Sequence, residues 1–423
     1  MEPNAANPWA PFWLGIPYQY WVWSAWLLLG FFVIFPGIVA YMVLAERKIA
    51  GRFQDRIGPN RVGPFGLLQP IADFIKLITK EDIVPRAADK WVHLVAPILL
   101  IVSSFLVLAV VPFGFGRVDE QNRLTGFLPV DLPAGLLYLI AVSSLSSLGV
   151  FLAGWSSRNK YSLLGAMRAV AQLVSYEVPQ VLATVPVILW TGSLSLVRIM
   201  DAQVTDGWWN IFTPPGFLAF VLLTIANIAE VNRTPFDLPE AESEIIAGYH
   251  TEYSGMRFGL FFLAEYLSVF GVSCLGTVLF LGGGGLPLPW PLSMPDFPKS
   301  LLSDTMASII LVNAISVAVF AVKVALYIFL MFWVRATLPR LRVDQLMNFA
   351  WKALVPLSIV NIVIAAIWYE MAVRRPERWF WGWVVTFVLV AVSVWAVFRL
   401  NQGLRRAPGA REPGRPAPVL VQS

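Results

Sequence analysis

Carboxylates are crowded into one short stretch of this chain, which lies between two long apolar segments. Residues 230–255 hold Asp237 and five glutamates against a single basic residue, Arg233; the glutamates are Glu230, Glu240, Glu242, Glu244 and Glu252. A further carboxylate, Glu265, follows inside the next apolar segment. Carboxylates within or beside an apolar phase need water, a partner or a functional role. The stretch is therefore the first candidate for chemistry, and proton uptake is the simplest chemistry it could perform.

The same stretch carries the signature of a short helix. Asp237 lies three residues before Glu240, which is the spacing of a capping box, and Gly248 follows the expected last turn. These signals predict a helix over about 238–247. Glu240 and Glu244 would then share one face of it, where their charges repel each other. That repulsion favours binding of a proton near neutral pH.

The composition as a whole indicates a membrane protein. The chain is 57% hydrophobic and only 13% charged, whereas soluble domains have about 25% charged residues. It contains one cysteine, Cys274, and two histidines, His93 and His250. One cysteine excludes an iron–sulfur cluster ligated by the cysteines of this chain alone, and two distant histidines argue against a haem or zinc site. No metal site is expected.

Nine apolar segments could span a bilayer, which takes about 20 residues. They are about 21–44, 91–111, 133–154, 162–190, 216–230, 258–281, 305–334, 353–371 and 379–400, of which the fifth is short. The sequence therefore predicts an all-α, polytopic integral membrane helix bundle that forms a single domain over 1–400. The remainder, 401–423, is rich in Arg, Pro, Gly and Ala and is predicted to be a disordered cytoplasmic tail.

Lysine and arginine concentrate in alternate loops, which indicates an orientation. They are most abundant after spans one, three, five and seven and in the tail, and loops of this kind face the cytoplasm. The N-terminus is then outside, while the tail and the stretch 230–255 are cytoplasmic. Arg374, Arg375 and Arg378, between the last two spans, run against this assignment.

An amphipathic segment follows the first span. Over 69–80, apolar side chains fall on one helical face and charged side chains on the other; the apolar ones are Ile71, Phe74, Ile75 and Ile78, and the charged ones are Asp73, Lys76 and Lys80. This pattern predicts a helix that lies in the membrane interface. Such a helix is either a passive surface element or a floor beneath which a lipid-soluble substrate enters the protein.

Charged side chains also fall within the predicted spans: Arg168 and Glu177 in the fourth, Glu265 in the sixth and Lys323 in the seventh. At roughly 2.5–3.5 kcal/mol each, four lipid-facing charges would cost about 10–14 kcal/mol, so they must face the interior or water. Arg168 and Glu177 are nine residues apart, on opposite faces of one helix, and need separate partners. A structural salt-bridge network or a hydrated proton path would satisfy these charges. The carboxylates Glu177, Glu230 and Glu265 favour the proton path.

Longer motifs resemble those of a known family. The loop after the first span contains Glu46-Arg47-Lys48, Gln54-x-Arg56-x-Gly58-Pro59-Asn60 and Gly66-Leu67-Leu68-Gln69-Pro70-x-Ala72-Asp73. Later motifs are Arg168-Ala-Val-Ala-Gln172, the stretch 230–255, Ala264-Glu265-Tyr266 and Arg335-Ala-Thr-x-Pro339-Arg340. Over about 46–352 the chain resembles the H subunit (the counterpart of mitochondrial subunit 1) of the proton-pumping NADH:quinone oxidoreductase, respiratory complex I. The ninth span and the tail lie beyond the eight-span core of that family.

The resemblance implies a subunit at the junction of a soluble arm and a membrane arm, where quinone enters from the bilayer near the interfacial helix. The residues implied to line the quinone chamber, or the acidic loop beside it, are Glu46, Arg47, Arg56, Asp73, Arg233, Asp237, Glu240, Glu242, Glu244, Glu252, Arg335 and Arg340. Proton coupling would fall to Glu177, Glu230 and Glu265, with Arg168 and Lys323 as balancing charges.

Cofactors and partners are also implied by the resemblance. Quinone, as ubiquinone or menaquinone, would be the substrate, while NAD, FMN and iron–sulfur clusters would reside on partner subunits. The expected partners are soluble-arm quinone-site subunits, antiporter-like membrane subunits and the lipid bilayer, and not nucleic acid. The expected location is the inner membrane of a bacterial cell.

Three alternatives stay open at this level. A homologous subunit of a membrane-bound hydrogenase would need no quinone, although the near-complete acidic stretch argues against it. A stand-alone ion transporter predicts an internal inverted repeat, which the sequence does not display. A purely structural anchor would leave the buried carboxylates unexplained.

Overall fold

Helices make up nearly all of the part of the chain that the computed structural model describes, which comprises residues 33–118, 124–126, 130–205, 208–237, 247–285, 306–374, 377 and 379–406. In chain order the helices are α1 (Phe35–Phe53), α2 (Gln69–Thr79), α3 (Lys90–Leu108), α4 (Gly135–Ser143), α5 (Leu145–Ser156), α6 (Lys160–Thr191), α7 (Leu196–Thr205), α8 (Pro214–Glu230), α9 (Gly255–Phe280), α10 (Met306–Thr337), α11 (Val343–Phe349), α12 (Val355–Trp368) and α13 (Trp379–Arg406). Segments of π-helix, Ala350–Leu354 and Tyr369–Val373, flank α12. One small antiparallel hairpin, β1 (Phe115–Val118) with β2 (Leu124–Gly126), follows α3.

The predicted helical membrane bundle is confirmed. Among the described residues, seven helical segments are long and apolar enough to cross a membrane: Lys90–Leu108, Gly135–Ser156, Lys160–Thr191, Gly255–Phe280, Asn313–Thr337, Val343–Met371 and Phe380–Val397. They correspond to seven of the nine predicted spans. The short fifth span is α8, which has 17 residues. Most of the first predicted span lies outside the described residues, and α1 begins at Phe35.

Side-chain caps fix where the central helices begin. The Asn159 side chain accepts a hydrogen bond from the backbone nitrogen of Tyr161 at 3.0 Å at the start of α6, and Thr213 accepts one from Gly216 at 3.2 Å at the start of α8. These bonds satisfy backbone donors that a helix leaves unpaired in its first turn. Gly192 ends α6 with φ of 61°, in the left-handed region that favours glycine.

The 32-residue helix α6 packs against α5, α8 and α12. Close approach is made possible by small residues, as is common between membrane helices. A Cβ atom on Gly154 of α5 would lie 2.3 Å from the Cβ of Ala166 on α6. A Cβ on Gly165 would lie 2.7 Å from the Cα of Gly248. The turn Gly248–His250 therefore rests directly on α6.

The predicted interfacial helix is α2. Its apolar residues Ile71, Phe74, Ile75 and Ile78 are 52–56% exposed in the isolated chain. The inner face packs through Leu77 against Gly259 of α9, where an added Cβ would lie 3.0 Å from a Leu77 methyl group. Beyond α2, the Ser254 hydroxyl accepts a hydrogen bond from the backbone nitrogen of Ile83 at 2.8 Å. The helix is thus attached to the first turn of α9 while its apolar face is available to lipid.

The structure describes the predicted C-terminal tail and the predicted helix over 238–247 only in part. Helix α13 packs on α12 and α8 and runs to Arg406, six residues into the predicted tail. The rest of the tail, 407–423, lies outside the described residues, as does most of the helix predicted over 238–247. The division into one membrane domain and a disordered tail stays a prediction.

Candidate functional site

A cluster of buried charges lies where α1, α9, α10 and the turn after α8 meet. Its centre is Glu46, on the penultimate turn of α1, which is only 7% exposed. The Glu46 carboxylate accepts a hydrogen bond from the Tyr266 hydroxyl at 2.7 Å. It also receives the guanidinium groups of Arg233, at 3.4 Å, and Arg335. Three donors from three separate parts of the chain therefore converge on one carboxylate.

Arg233 joins this carboxylate to a second one. Its Nε atom lies 3.0 Å from Oε1 of Glu265, and its guanidinium lies 4.2 Å above the Tyr266 ring. The side chain is buried, so the two carboxylates supply the countercharge that water would otherwise supply. The aromatic face adds a cation–π contact. We call Glu46, Arg233, Glu265, Tyr266 and Arg335 the charge cluster.

Two further ion pairs flank the charge cluster nearer the surface. Asp237 pairs with Arg340 at 2.7 Å, and Arg47 pairs with Asp73 of the interfacial helix at 2.8 Å. The second Asp73 oxygen accepts a hydrogen bond from Gln69 at 3.1 Å. The Arg47–Asp73 pair therefore ties α2 to the end of α1, directly beside Glu46.

Other residues implied to line the quinone chamber are not part of these contacts. Glu240, Glu242 and Glu244 lie outside the described residues. Arg56 is exposed in the loop after α1. Glu252 accepts a hydrogen bond from Asn159 at 2.7 Å, which fastens the turn Gly248–His250 to the start of α6 instead.

A small cavity connects Glu265 of the charge cluster with Glu230 at the end of α8. Its volume is about 40 Å³, and Glu230 and Glu265 are among the residues that line it. Ser146, Asn232 and Ser268 add polar groups to the wall. A water molecule needs about 10–15 Å³ of such volume and two to four polar partners, so the cavity has room for roughly three. The arrangement could hold a short chain of water between the two carboxylates.

Glu230 also contacts buried amides on its other side. Gln180 of α6 donates a hydrogen bond to the Glu230 carboxylate and another, at 3.2 Å, to Oδ1 of Asn227. The charge of Glu177, on the same helix as Gln180, acts on Glu230. Arg168 is partly buried on α6. The structure therefore places Glu265 on the same cavity as Glu230 and brings Glu177 within electrostatic range of Glu230, which spacing along the chain could not establish.

Lys323 lies at the opposite end of the bundle. It precedes Arg335 by twelve residues on α10, or about 18 Å of helix. Its ammonium group donates to the carbonyl oxygens of Leu281, at 2.6 Å, Gly283, at 2.8 Å, and Gly285, and lies 4.6 Å from the Trp209 ring centre. Lys323 thus caps the carboxyl end of α9. Its expected role as a balancing charge for the carboxylates stays a prediction.

His250 and Tyr253 lie in the turn before α9, outside the membrane-spanning segments. The His250 ring contacts Phe261, with ring centres 5.1 Å apart, and Phe258, at 5.7 Å. Burial disfavours the charged form and lowers the pKa of His250 to about 3. Burial likewise raises the pKa of Tyr253, which stacks on His93 at 3.8 Å, to about 12. Both groups are neutral packing elements at physiological pH.

Sequence reasoning missed several polar residues of this region. Sequence patterns identify Tyr266 only as a neighbour of Glu265, although its hydroxyl bonds Glu46. Gln180, Asn227 and Tyr327 form a buried polar chain that leads away from Glu230. The available signal was the presence of amides inside predicted spans, since a buried amide needs partners as a charge does. Among the described residues, no group of three or more His, Cys, Asp or Glu is arranged to hold a metal ion.

Comparisons with known proteins agree with one another. A family model described as NADH dehydrogenase matches residues 26–366, so that α13 lies beyond the match. The H subunit of NADH-quinone oxidoreductase from Leptospira biflexa is 44% identical over 373 residues, covering 86% of this chain and 98% of that protein. The proteins of the same name from Dehalococcoides mccartyi and Geobacillus kaustophilus are 48% and 49% identical over 377 and 330 residues, or 88% and 78% of this chain and 93% and 89% of theirs.

The charge cluster predicts a large stability effect at Arg233. Replacement of Arg233 by Leu leaves the buried Glu46 and the half-buried Glu265 with one cation fewer, and breaking a buried ion pair in this way costs about 3–5 kcal/mol. We expect a marked fall in the thermal unfolding midpoint of the purified protein. The control is Arg374→Leu, which removes an exposed i,i+4 pair with Glu370 and should cost about 0.5 kcal/mol or less. Equal effects of the two variants would contradict the assignment of Arg233 as a buried counterion.

The buried imidazole predicts a pH dependence. An unfolded histidine titrates near 6.5, whereas His250 in the folded chain stays neutral down to about pH 3. Between these values the unfolded state binds the extra proton, so stability falls as the pH falls, by at most about 1.4 kcal/mol per pH unit. His250→Phe should remove this contribution. Thermal unfolding at pH 7.5, 6.5 and 5.5 should therefore show a shallower loss in the variant, and parallel losses would contradict the prediction.

Proposed function

This chain belongs to the NADH dehydrogenase family, together with the H subunit of NADH-quinone oxidoreductase, and we propose that it works as that membrane subunit by forming a wall of the quinone chamber and coupling quinone reduction to proton movement. The chain is a membrane subunit of an enzyme complex and has its family's helical bundle. The observation that carries the coupling proposal is the cavity shared by Glu265 and Glu230.

The quinone chamber is assigned to the end of the bundle that holds the charge cluster. The apolar face of α2 is open to the bilayer, and its polar face is tied to α1 by Arg47 and Asp73. A quinone has an apolar tail and a polar head with two carbonyl acceptors, so it needs an apolar entrance that leads to hydrogen-bond donors. The α2 surface followed by the arginine side chains offers this sequence of environments. The proposed chamber residues are Glu46, Arg47, Arg56, Asp73, Arg233, Asp237, Glu240, Glu242, Glu244, Glu252, Arg335 and Arg340.

Coupling is assigned to the path from the charge cluster to Glu230. Reduction of a quinone to a quinol takes up two electrons, which centres on partner subunits would supply, and two protons, so electrons that arrive before the protons would make the charge near Arg233 more negative. Because Arg233 contacts Glu265 at 3.0 Å, a change of charge at the cluster alters the free energy of binding a proton at Glu265. The cavity then gives Glu265 a water-sized connection to Glu230, beside which lies Glu177. Glu177, Glu230 and Glu265 are the proposed proton-coupling residues, with Arg168 and Lys323 as cations elsewhere in the bundle.

The remaining chemistry is assigned to other subunits. The relatives are named for a quinone oxidoreductase, so quinone is the proposed substrate, as ubiquinone or menaquinone. NAD, FMN and iron–sulfur clusters would be held by soluble-arm subunits, and antiporter-like membrane subunits would receive the protons. We further propose a bacterial inner-membrane location with the N-terminus outside and the C-terminus cytoplasmic, from the distribution of Lys and Arg.

The chamber assignment predicts where a photoreactive quinone attaches. In purified membranes, an azido-quinone should label peptides within 47–80 or 230–253 of this chain, and an excess of unmodified quinone should abolish the labelling. The measurement is peptide mapping by mass spectrometry. Competable label that is confined to partner subunits would contradict a chamber wall on this chain and would favour the hydrogenase-type alternative.

The coupling assignment predicts that neutral replacements of the carboxylates impair turnover. In the assembled complex, Glu230→Gln, Glu265→Gln and Glu177→Ala should each lower NADH-driven quinone reduction and the associated proton release by about tenfold or more, because positioned proton-transfer groups contribute at least this much. Glu370→Gln, at an exposed i,i+4 pair, is the matched control and should leave both rates unchanged. Normal rates in all three variants of an assembled complex would remove the coupling role.

A further inference from the structure

A chain of buried hydrogen bonds leads from Glu230 to α10. Gln180 of α6 donates to Glu230 and to Oδ1 of Asn227, the latter at 3.2 Å. The Asn227 nitrogen Nδ2 donates to the Tyr327 hydroxyl at 3.2 Å and approaches the carbonyl oxygen of Val272 at 3.4 Å. The Tyr327 hydroxyl in turn lies 3.0 Å from the hydroxyl of Thr224. Gln180, Asn227 and Tyr327 are each at most 2% exposed.

The packing of the helices leaves space for this chain of hydrogen bonds. A Cβ atom on Gly276 of α9 would lie 2.7 Å from the Tyr327 ring, so glycine makes the space that the ring occupies. Phe220 packs edge-on against the Tyr327 ring at 5.7 Å and against Phe280 at 5.7 Å. In such a dry setting, each buried amide must present the correct atom to each neighbour.

The present orientation of Gln180 suits an ionised Glu230. A carboxylate only accepts hydrogen bonds, and the Gln180 amide turns its NH2 group toward it. The Gln180 carbonyl oxygen is buried and has no hydrogen-bond partner among the described residues. The hydroxyl of Thr224 donates to the carbonyl oxygen of Phe220 at 2.8 Å, which leaves it as an acceptor for Tyr327. The chain therefore runs in one direction, from Gln180 through Asn227 to Tyr327 and Thr224.

A proton on Glu230 would require the opposite direction. The carboxylic acid becomes a donor and meets the NH2 group of Gln180, donor against donor. Rotation of the Gln180 amide by half a turn offers its carbonyl oxygen to Glu230, and Asn227 must then turn its own NH2 toward Gln180. The Asn227 carbonyl oxygen now faces Tyr327, whose hydroxyl turns from Thr224 to donate to it. Glu230, Gln180, Asn227 and Tyr327 stay paired in the same order with each bond reversed, while Tyr327 gives up its bond to Thr224 and Asn227 its bond to the Val272 carbonyl oxygen.

We propose that Gln180, Asn227 and Tyr327 are positioning residues that transmit the protonation state of Glu230 to α10 by reversing the direction of this hydrogen-bond chain. The inference rests on the proposed function, in which Glu230 is a coupling carboxylate. Helix α10 also carries Arg335 of the charge cluster, eight residues or about 12 Å beyond Tyr327. Glu230 is thus linked to the charge cluster twice, by the cavity and by α10.

Other groups around Glu230 influence the same proton. Glu177 acts on it from α6, and Glu265 faces it across the cavity from α9. From α4 and α5, the hydroxyls of Ser143 and Ser146 face it. None of the variants below changes these four residues, so a shift among the variants reports on the hydrogen-bond chain.

The test follows the carboxylic acid band of Glu230 by infrared difference spectroscopy during a pH titration of the assembled complex in phospholipid vesicles. Subtraction of the same titration of Glu230→Gln isolates the band. Gln180→Leu removes the donor to the ionised form, and hydrogen bonds to charged groups are the stronger ones, so the midpoint should move up by about one pH unit. Tyr327→Phe leaves Asn227 its Val272 acceptor in the ionised state but no donor in the protonated state, so the midpoint should move down by about half a unit.

Two further variants provide a second test and a matched control. Thr224→Val removes the acceptor that Tyr327 uses only in the ionised state and should move the midpoint up, which also covers a failure of Tyr327→Phe to assemble. Thr184→Val, on α6 one turn from Gln180, removes a buried hydroxyl that, among the described residues, bonds the Val181 carbonyl of its own helix, and it should leave the midpoint unchanged. Midpoints that move in opposite directions in Tyr327→Phe and Thr224→Val, with an unchanged midpoint in the Thr184→Val control, support the reversal of the hydrogen-bond chain.

The outcomes separate the two proposals. If Glu230→Gln abolishes proton release while Tyr327→Phe and Thr224→Val titrate like the unmodified complex, the hydrogen-bond chain is wrong and the coupling role of Glu230 stands. A shift of the midpoint in Thr184→Val as large as those in Tyr327→Phe and Thr224→Val would also overturn the hydrogen-bond chain, because general disturbance of the bundle would then explain all three shifts. Normal proton release in Glu230→Gln would overturn the proposed function itself.

Discussion

Neutralisation of buried charge is the constraint on which the architecture depends. Glu46 is 7% exposed on α1, and an isolated charge there would be expelled or neutralised. Two carboxylates and two guanidinium groups instead share one site, with the Tyr266 hydroxyl and ring completing it. Satisfying this cluster fixes the relative positions of α1, α9, α10 and the turn after α8. The same helices then hold the cavity and the buried amides.

This arrangement explains why an interfacial helix lies beside a charge cluster. Helix α2 is held at one end by Arg47 and Asp73 and beyond its other end by Ser254. Its apolar face needs lipid, while its charged face needs the polar end of the bundle. The boundary between lipid and charge therefore falls at α2, which is where an amphipathic substrate would find both environments.

How far the sequence could predict this structure differs with the kind of information needed. Seven of the nine spans and the helix α2 follow from local patterns of apolar residues, and these predictions were correct. The need of Arg168 and Glu177 for separate partners followed from their spacing, but spacing along one helix does not specify which groups could supply them. Lys323 shows the limit, because an amine in a span suggested a countercharge and the structure pairs it with backbone carbonyl oxygens. The packing of the helices determines which groups a buried charge contacts, and this packing cannot be derived from local patterns in one sequence.

The three donors to Glu46 have a consequence for biogenesis. They lie 187, 220 and 289 residues after it in the chain, at Arg233, Tyr266 and Arg335. As the chain emerges from the ribosome and inserts helix by helix, Glu46 reaches the membrane long before its countercharges exist. The carboxylate must wait in water or bind a proton until α10 has been made. A chain that stops before Arg335 leaves the cluster incomplete, so quality control could recognise unfinished copies by this one unneutralised group.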